Sequence, residues 1–384
     1  MPTHTDRQRA LLVTRNLPPL VGGMERLVWH IANALRSACA LHVIGPTGCA
    51  AHLPAGVTAT EVALEPMPRF LAGVQLAAFR QALRLRPGWV LAGSGLTAPM
   101  AWLAARVCGA RAAVYVHGLD VAVPHPMYQR IWPPFLRRMD RVIANSRATA
   151  ELTKKVGVPQ ERIAIVHPGV ALPPEMSSTE RSEFRRRFRQ RYGLGEDPVL
   201  LSVGRLTTRK GILEFVRDVL PQIARQVSEV QLVVIGGEPT KALYARGQSV
   251  DVIRAVARRV GMVDRIVFLG EVTRWESLRE AYIAADVHVF PIRKLPDDPE
   301  GFGMVAVEAA AHGLATVAYA SGGVVDAVSD GVSGRLIPPG EFEAFAQAVL
   351  ELLQNPLPRE LIEEFATGFA WEAFGARIRD ALLS

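Results

Sequence analysis

Leu201-Ser202-Val203-Gly204-Arg205-Leu206-Thr207-Thr208-Arg209-Lys210-Gly211 is an apolar run that stops at a glycine, passes through a loop bearing cations and restarts as a helix. A strand that opens through such a loop into a helix is the repeating unit of a parallel α/β sheet. Arg205 offers a bidentate fork to phosphate and Lys210 a point charge, while the helix start near Gly211 adds a favourable dipole, so a pyrophosphate suits the loop. Solvated surface cations are the competing reading of the same residues.

Outward from this stretch the same unit recurs. Downstream strands are expected at Gln231–Ile235, Ile266–Leu269, Val287–Phe290 and Ala315–Ala318, after Val199–Val203 itself, with a final helical pair from Phe342 and a last helix from Trp371 to Leu383. Upstream they are expected at Ala10–Thr14, Leu41–Ile44, Trp89–Ala92, Ala112–Val116, Arg141–Ala144 and Ile163–Val166. Between these, Glu25–Arg36 places Leu27, Ile31, Ala34 and Leu35 on one helical face, and Phe70–Arg86 does the same with Leu71, Val74, Phe79 and Leu83. Pro168-Gly169-Val170 through Pro173-Pro174 and the helix start Ser177-Ser178-Thr179 read as a linker. Phe184, Phe188 and Tyr192 form an aromatic stripe after it, amid Arg181, Arg185, Arg186, Arg187, Arg189 and Arg191. The expectation is a linker helix with packed aromatics and solvated arginines; the rival is a membrane-surface helix. The series gives two doubly wound α/β domains, residues 1–175 and residues 176–370, followed by the last helix, 371–384.

With 384 residues, 49% hydrophobic and 21% charged, the composition excludes a disordered or fibrous chain and predicts two domains of ordinary size. Glycines and prolines break the uncharged stretches Ser37–Thr60 and Pro87–Ala105, so neither reads as a membrane span, and the polar start Met1–Arg9 is not followed by the apolar h-region of a secretory signal. Cys39, Cys49 and Cys108 have no metal-ligand spacing, which points to a reducing, cytoplasmic setting. His30, His42, His167, His288 and His312 lack paired ligand spacing and read as structural. The first 170 residues hold 19 Lys+Arg against 8 Asp+Glu, net +11; the rest hold 25 against 29, net −4. A basic N-terminal half suits an anionic membrane surface or an acidic acceptor, although an arginine-rich chain also arises from a GC-rich genome.

Two further glycine motifs open helices. Gly22-Gly23, after the first strand, can bring backbone N–H groups up to an anion or serve turn geometry alone. Glu300-Gly301-Phe302-Gly303-Met304-Val305-Ala306-Val307-Glu308 sets a second nest at a helix mouth, with Glu300 outside it and Glu308 inside. Carboxylates that close to a diphosphate are expected to address hydroxyl-bearing parts of the ligand.

The pattern G-R-x4-K-G at Gly204–Gly211, E-x7-E at Glu300–Glu308, Ser321-Gly322-Gly323 and Asp330-Gly331-Val332-Ser333-Gly334 resembles the retaining glycosyltransferases of family 4. The resemblance runs over essentially the whole chain and includes Gly22-Gly23, Val116-His117-Gly118 and Ile143-Ala144-Asn145-Ser146. It implies the GT-B fold, with two Rossmann-like domains facing a deep cleft and the last helix crossing back to the N-terminal domain. It also implies hexose transfer from a UDP- or GDP-sugar held by the C-terminal domain to a glycan or lipid-linked acceptor held by the N-terminal one. Arg205 and Lys210 then grip the diphosphate, Glu300 holds donor-sugar hydroxyls and Glu308 bonds the ribose. Backbone amides at Gly23 and at Phe302, Gly303, Met304 and Val305 complete the cradle. His117 lies beside the anomeric carbon, close to Asp120, whose role is left open; as a bare sequence feature His117 reads equally as a structural histidine at a strand end. No metal, cofactor or nucleic acid enters this scheme. Base contacts are expected from Gly236–Lys241 and Leu269–Thr273. The implied setting is lipopolysaccharide or polysaccharide assembly at the inner membrane face. The alternatives are a non-hydrolysing nucleotide-sugar epimerase and a non-catalytic nucleotide-sugar binder of the same fold.

Overall fold

A computed structural model of the chain describes residues 8–123, 125–238, 247–272 and 274–383. They divide into two compact units, Met1–Gly169 with Trp371–Ser384, and Val170–Ala370.

The first unit is built on a parallel sheet of β1 (Arg9–Val13), β2 (Ala40–Pro46), β3 (Thr58–Val62), β4 (Trp89–Ala92), β5 (Arg111–Val116), β6 (Arg141–Ala144) and β7 (Ile163–Ile165), in the order β3-β2-β1-β4-β5-β6-β7. The second unit's sheet is β10-β9-β8-β11-β12-β13, with β8 (Val199–Val203), β9 (Gln231–Ile235), β10 (Ile266–Gly270), β11 (Val287–Phe290), β12 (Thr316–Tyr319) and β13 (Gly334–Ile337). The central strands β1, β4, β5 and β8 are almost wholly buried, as apolar strands covered by helices on both faces must be. In each sheet the strand order reverses once, between β1 and β4 and between β8 and β11. At such a switch point the loops leaving the two strands diverge and open a crevice at their carboxyl ends.

The eleven expected strands are joined by two that were not expected, β3 and β13. Both lie at sheet edges, and their runs Thr58-Ala-Thr-Glu-Val62 and Gly334-Arg-Leu-Ile337 are half exposed and carry a charge, so they lack the apolar signal of an interior strand.

The helix Gly23–Leu35 buries Leu27, Ile31, Ala34 and Leu35 as its spacing demands. In the helix Met67–Leu85 the expected face is corrected. Phe70, Val74, Ala78 and Ala82 are buried, Leu71 and Phe79 are half-buried, and Leu83 is 60% exposed. Small side chains decide this, because Ala78 and Ala82 allow close packing against the alanine-rich helix Ala98–Cys108, which a leucine in their place would prevent.

The linker helix Ser178–Tyr192 begins in a capping box, Ser177 with Glu180, and buries Phe188. Its arginines are not simply solvated. Arg185 and Arg189 both clasp Asp286 at 2.6 and 2.8 Å, Arg189 is almost fully buried, and Arg181 donates to the His312 carbonyl at 2.6 Å. One face of this helix is therefore tied to the second unit by charge. The last helix, Trp371–Leu383, belongs to the first unit, where it packs on Gly23–Leu35 and Trp371 stacks on His30 at 3.6 Å. Among the described residues no helix is long and apolar enough to cross a membrane.

Candidate functional site

In the second unit the two loops at the switch point are pressed together. A Cβ on Gly211 would stand 2.0 Å from the Pro291 carbonyl, and the Arg293 amide donates to the Arg209 carbonyl at 2.8 Å. Only glycine permits that approach. The loop after β8 is thereby locked to the chain leaving β11, and the side chains of Arg209 and Lys210 converge on Glu300.

Lys210 Nζ donates to Glu300 Oε2 at 3.0 Å, and Arg209 Nε lies 3.0 Å from the same oxygen. Arg209 also reaches Asp298 through Nη1 at 2.5 Å. Lys210 sits over the Phe290 ring, 4.7 Å from its centroid. Burial lowers the Lys210 pKa, and Glu300 pulls it only part of the way back. Burial also works to raise the Glu300 pKa, but Lys210 and Arg209 outweigh it and hold the carboxyl below its ordinary range. Arg205 is exposed, and its charge is felt at both Lys210 and Glu300. The cluster is a largely buried cation pair held against two carboxylates, with a third, solvent-facing cation at its mouth. An arriving diphosphate can take over Lys210 from Glu300 without either charge being left bare.

The chain from Glu300 to Gly303 is fixed from below by Ser321-Gly322-Gly323. The Gly323 amide donates to the Glu300 carbonyl at 2.8 Å, and a Cβ there would stand 2.0 Å from the Gly301 carbonyl. Phe302 is buried, and the helix Met304–Ala311 starts at Gly303 with no described side chain capping it, so its first amides are available to an anion. Glu308, in its second turn, is 3% exposed and accepts a hydrogen bond from Tyr282 at 3.1 Å. Its carbonyl accepts from His312 Nδ1 at 2.7 Å, and burial pushes the His312 pKa down to about 4, so that ring is neutral. The Tyr282 ring stacks on it at 5.1 Å.

In the first unit, Gly22 and Gly23 follow β1 and His117 follows β5. A Cβ on Gly22 would lie 2.4 Å from Glu25 Oε2, and Asn16 Nδ2 donates to Glu25 Oε1 at 2.8 Å. The mouth of this helix thus holds a carboxylate of its own chain, which accounts for part of the glycine geometry. His117 is fixed at three points. Its amide donates to Asp120 Oδ1 at 2.8 Å, its carbonyl accepts from Asn145 at 3.1 Å, and Nε2 lies 2.9 Å from the Gly93 carbonyl. A carbonyl can only accept, so Nε2 carries a proton. Asp120 also takes the amides of Gly118 at 3.0 Å and Gly95 at 2.7 Å, which ties the loops after β4 and β5 together.

Each expected residue can be placed from this geometry. Arg205, Lys210, Glu300, Gly301, Phe302, Gly303, Met304, Val305 and Glu308 gather in the second unit, while Gly22, Gly23 and His117 flank the switch point of the first. Arg209, Asp298 and Tyr282 were not expected. Arg209 stands in the cation loop and Asp298 in the acidic run before Glu300, so charge pattern was their only signal; Tyr282 had none. Of the two loops expected to meet a base, residues 239–241 and 273 lie outside the described residues. Among the described residues no cluster of His, Cys, Asp and Glu suits a metal ion.

Residues 21–172 match the family model described as Glycosyltransferase Family 4, and residues 197–355 match Glycosyl transferases group 1. The chain is 30% identical, over 97% of its length and 98% of the relative's, to the GDP-mannose-dependent alpha-(1-6)-phosphatidylinositol monomannoside mannosyltransferase of Mycobacterium tuberculosis (strain H37Rv). It is 29% identical to the enzyme of that description from Mycolicibacterium smegmatis, over 97% of each chain. Among solved structures, Anabaena Alr3699/HepE in complex with UDP superposes with a TM-score of 0.76 at 19% identity, covering 97% of this chain and 99% of that one. That likeness is one of fold, two Rossmann-like parallel-sheet domains.

Proposed function

The chain belongs to glycosyltransferase family 4 and is a glycosyltransferase, and from that premise we propose that it moves a hexose from a UDP- or GDP-sugar to a glycan or lipid-linked acceptor with retention of anomeric configuration. The observation that carries the reading is the cation cluster at the switch point of the second unit, Arg205, Arg209 and Lys210 with Glu300. Breaking the bond between sugar and nucleotide puts extra negative charge on the departing diphosphate. Cations already fixed in a dry site stabilise that charge without reorganisation, at a few kcal/mol each. Arg205 and Lys210 take this role with no metal ion, aided by the amides at Phe302–Val305.

When the diphosphate claims Lys210, Glu300 is released toward the hydroxyls of the donor sugar, while Arg209 keeps hold of it. Glu308 bonds the ribose. His117, its Nε2 proton committed to a carbonyl, orients the reacting sugar, and the leaving phosphate takes the acceptor's proton, so no separate base is needed. The first unit receives the acceptor. Two relatives are named as phosphatidylinositol monomannoside mannosyltransferases, which supports a lipid-linked acceptor; on this reading the acceptor is met at the cytoplasmic face of a membrane, in cell-surface glycan assembly.

The test is incubation of the pure protein with UDP- and GDP-hexoses, with and without a lipid-linked saccharide, followed by NMR of the product. An acceptor-dependent glycoside with the donor's anomeric configuration is expected. An inverted product would overturn the retaining mechanism, and an epimerised donor formed without acceptor would overturn transfer.

A further inference from the structure

The corrected face of the helix Met67–Leu85 leaves an unused surface. Opposite Phe70, Val74, Ala78 and Ala82 stand Arg69, Ala72, Leu76, Arg80, Leu83 and Arg84, all exposed, with Leu76 and Leu83 each 60% so. Arg69, Leu76, Arg80 and Leu83 follow at intervals of seven, four and three, which sets them in one stripe along the helix. A helix face meant for water alone would pair its arginines with glutamates one turn away. Within Met67–Leu85 none is present. From Pro66 to Leu119 the chain has no Asp or Glu and six arginines, at 69, 80, 84, 86, 106 and 111. Val107 and Arg106, exposed at the end of the neighbouring helix Ala98–Cys108, extend the same mixture.

We propose that this face docks on an anionic lipid surface, with Leu76 and Leu83 entering the headgroup boundary and Arg69, Arg80 and Arg84 meeting lipid phosphates. Two features select that occupant. Apolar side chains interleaved with arginine and free of acid are what an interfacial helix presents, and the half of the chain that carries them has a net charge of +11. A second copy of the chain fits worse, because a self-complementary contact along the stripe would set arginine against arginine. The inference rests on the reading that the acceptor is lipid-linked for its purpose, though not for its test.

The full chain is sedimented with vesicles of phosphatidylglycerol and phosphatidylcholine, or of phosphatidylcholine alone, beside L76Q/L83Q and R69Q/R80Q. The expected result is about tenfold or greater preference for the anionic vesicles, weakened by salt, and a loss of about tenfold in each double variant. All substituted side chains are exposed, so unchanged thermal unfolding shows that the variants fold. Equal binding to both vesicles, or anionic binding that both variants retain, overturns the proposal. So does a wild-type dimer in sedimentation velocity that L76Q/L83Q dissociates, since a second copy would then cover the face. Vesicle binding that depends on these residues in a protein that transfers no sugar to a lipid-linked saccharide upholds the docking face and counts only against the reading of the acceptor.

Discussion

The two switch points occupy the same place in two similar sheets, yet their chemistry is opposite. Between β8 and β11 three cations converge and two carboxylates neutralise two of them. Around β1 and β4 the loops carry acids instead: Glu25, bound by Asn16, and Asp120, which collects three backbone amides from the loops after β4 and β5. Topology supplies a crevice in both units; side chains decide what it suits. The first crevice holds a histidine still, and the second gathers cations around carboxylates.

The largest expected effect breaks the second site. Lys210→Met retains most of the side-chain stem but removes the charge, and transfer is expected to fall by about 10²–10³-fold in single-turnover kinetics while thermal unfolding changes little. Near-normal turnover would remove Lys210 from the diphosphate's partners. Glu300→Gln separates binding from reaction. Without the carboxylate that competes for Lys210, the nucleoside diphosphate should bind as tightly as before or more so by calorimetry, while transfer drops by about tenfold or more through loss of a charged hydrogen bond to the sugar. Parallel losses in both would mean that Glu300 only shapes the loop.

The first site should fail differently. Asp120→Ala strips three amides of their acceptor, and about 2–3 kcal/mol of stability is expected to go in denaturant titration, with nucleoside diphosphate binding intact. Unaltered stability would show that the loops hold without the clamp.

The smallest effect concerns two buried histidines of the second unit. Burial lowers His288 to about 3 and His312 to about 4, while both titrate near 6.5 when unfolded. Below pH 6.5 the unfolded chain therefore binds more protons than the folded one, so stability falls with acidification. Each should contribute about 1.4 kcal/mol per pH unit until its folded pKa is reached. Thermal unfolding between pH 7 and 5 should show a shallower decline in His288→Val than in wild type; identical slopes would contradict the assignment.

The fold was legible where burial leaves a strong mark on sequence. Trp89–Ala92, Arg141–Ala144, Gln231–Ile235 and Val287–Phe290 are fully apolar or nearly so and were bounded to the residue. The edges β3 and β13 were not, because their polar, charged or glycine-bearing runs lack the apolar signal that the edges β7 and β10 keep in Ile163–Ile165 and Ile266–Leu269. Helical spacing identified Met67–Leu85 as a helix but not its inward face, since Leu71, Val74, Phe79 and Leu83 also fit a stripe; only the neighbouring helix, with alanines of its own, selects Ala78 and Ala82. At the site, glycines and cations advertise a phosphate loop locally. The partners that complete it are remote in sequence. Asp298 lies 89 residues from Arg209 and Tyr282 lies 26 from Glu308, and no local pattern joins such pairs.

The central claim is that the cation cluster of the second unit binds a nucleoside diphosphate through Arg205 and Lys210. Thermal unfolding of wild type and Arg205→Ala against UDP, GDP and ADP tests it most directly, since a ligand at 100 times its Kd adds about 2.7 kcal/mol to the folded state alone. Stabilisation of wild type by one of these diphosphates, lost in Arg205→Ala, is the predicted result. Stabilisation that Arg205→Ala retains in full, or none with any diphosphate, would contradict it.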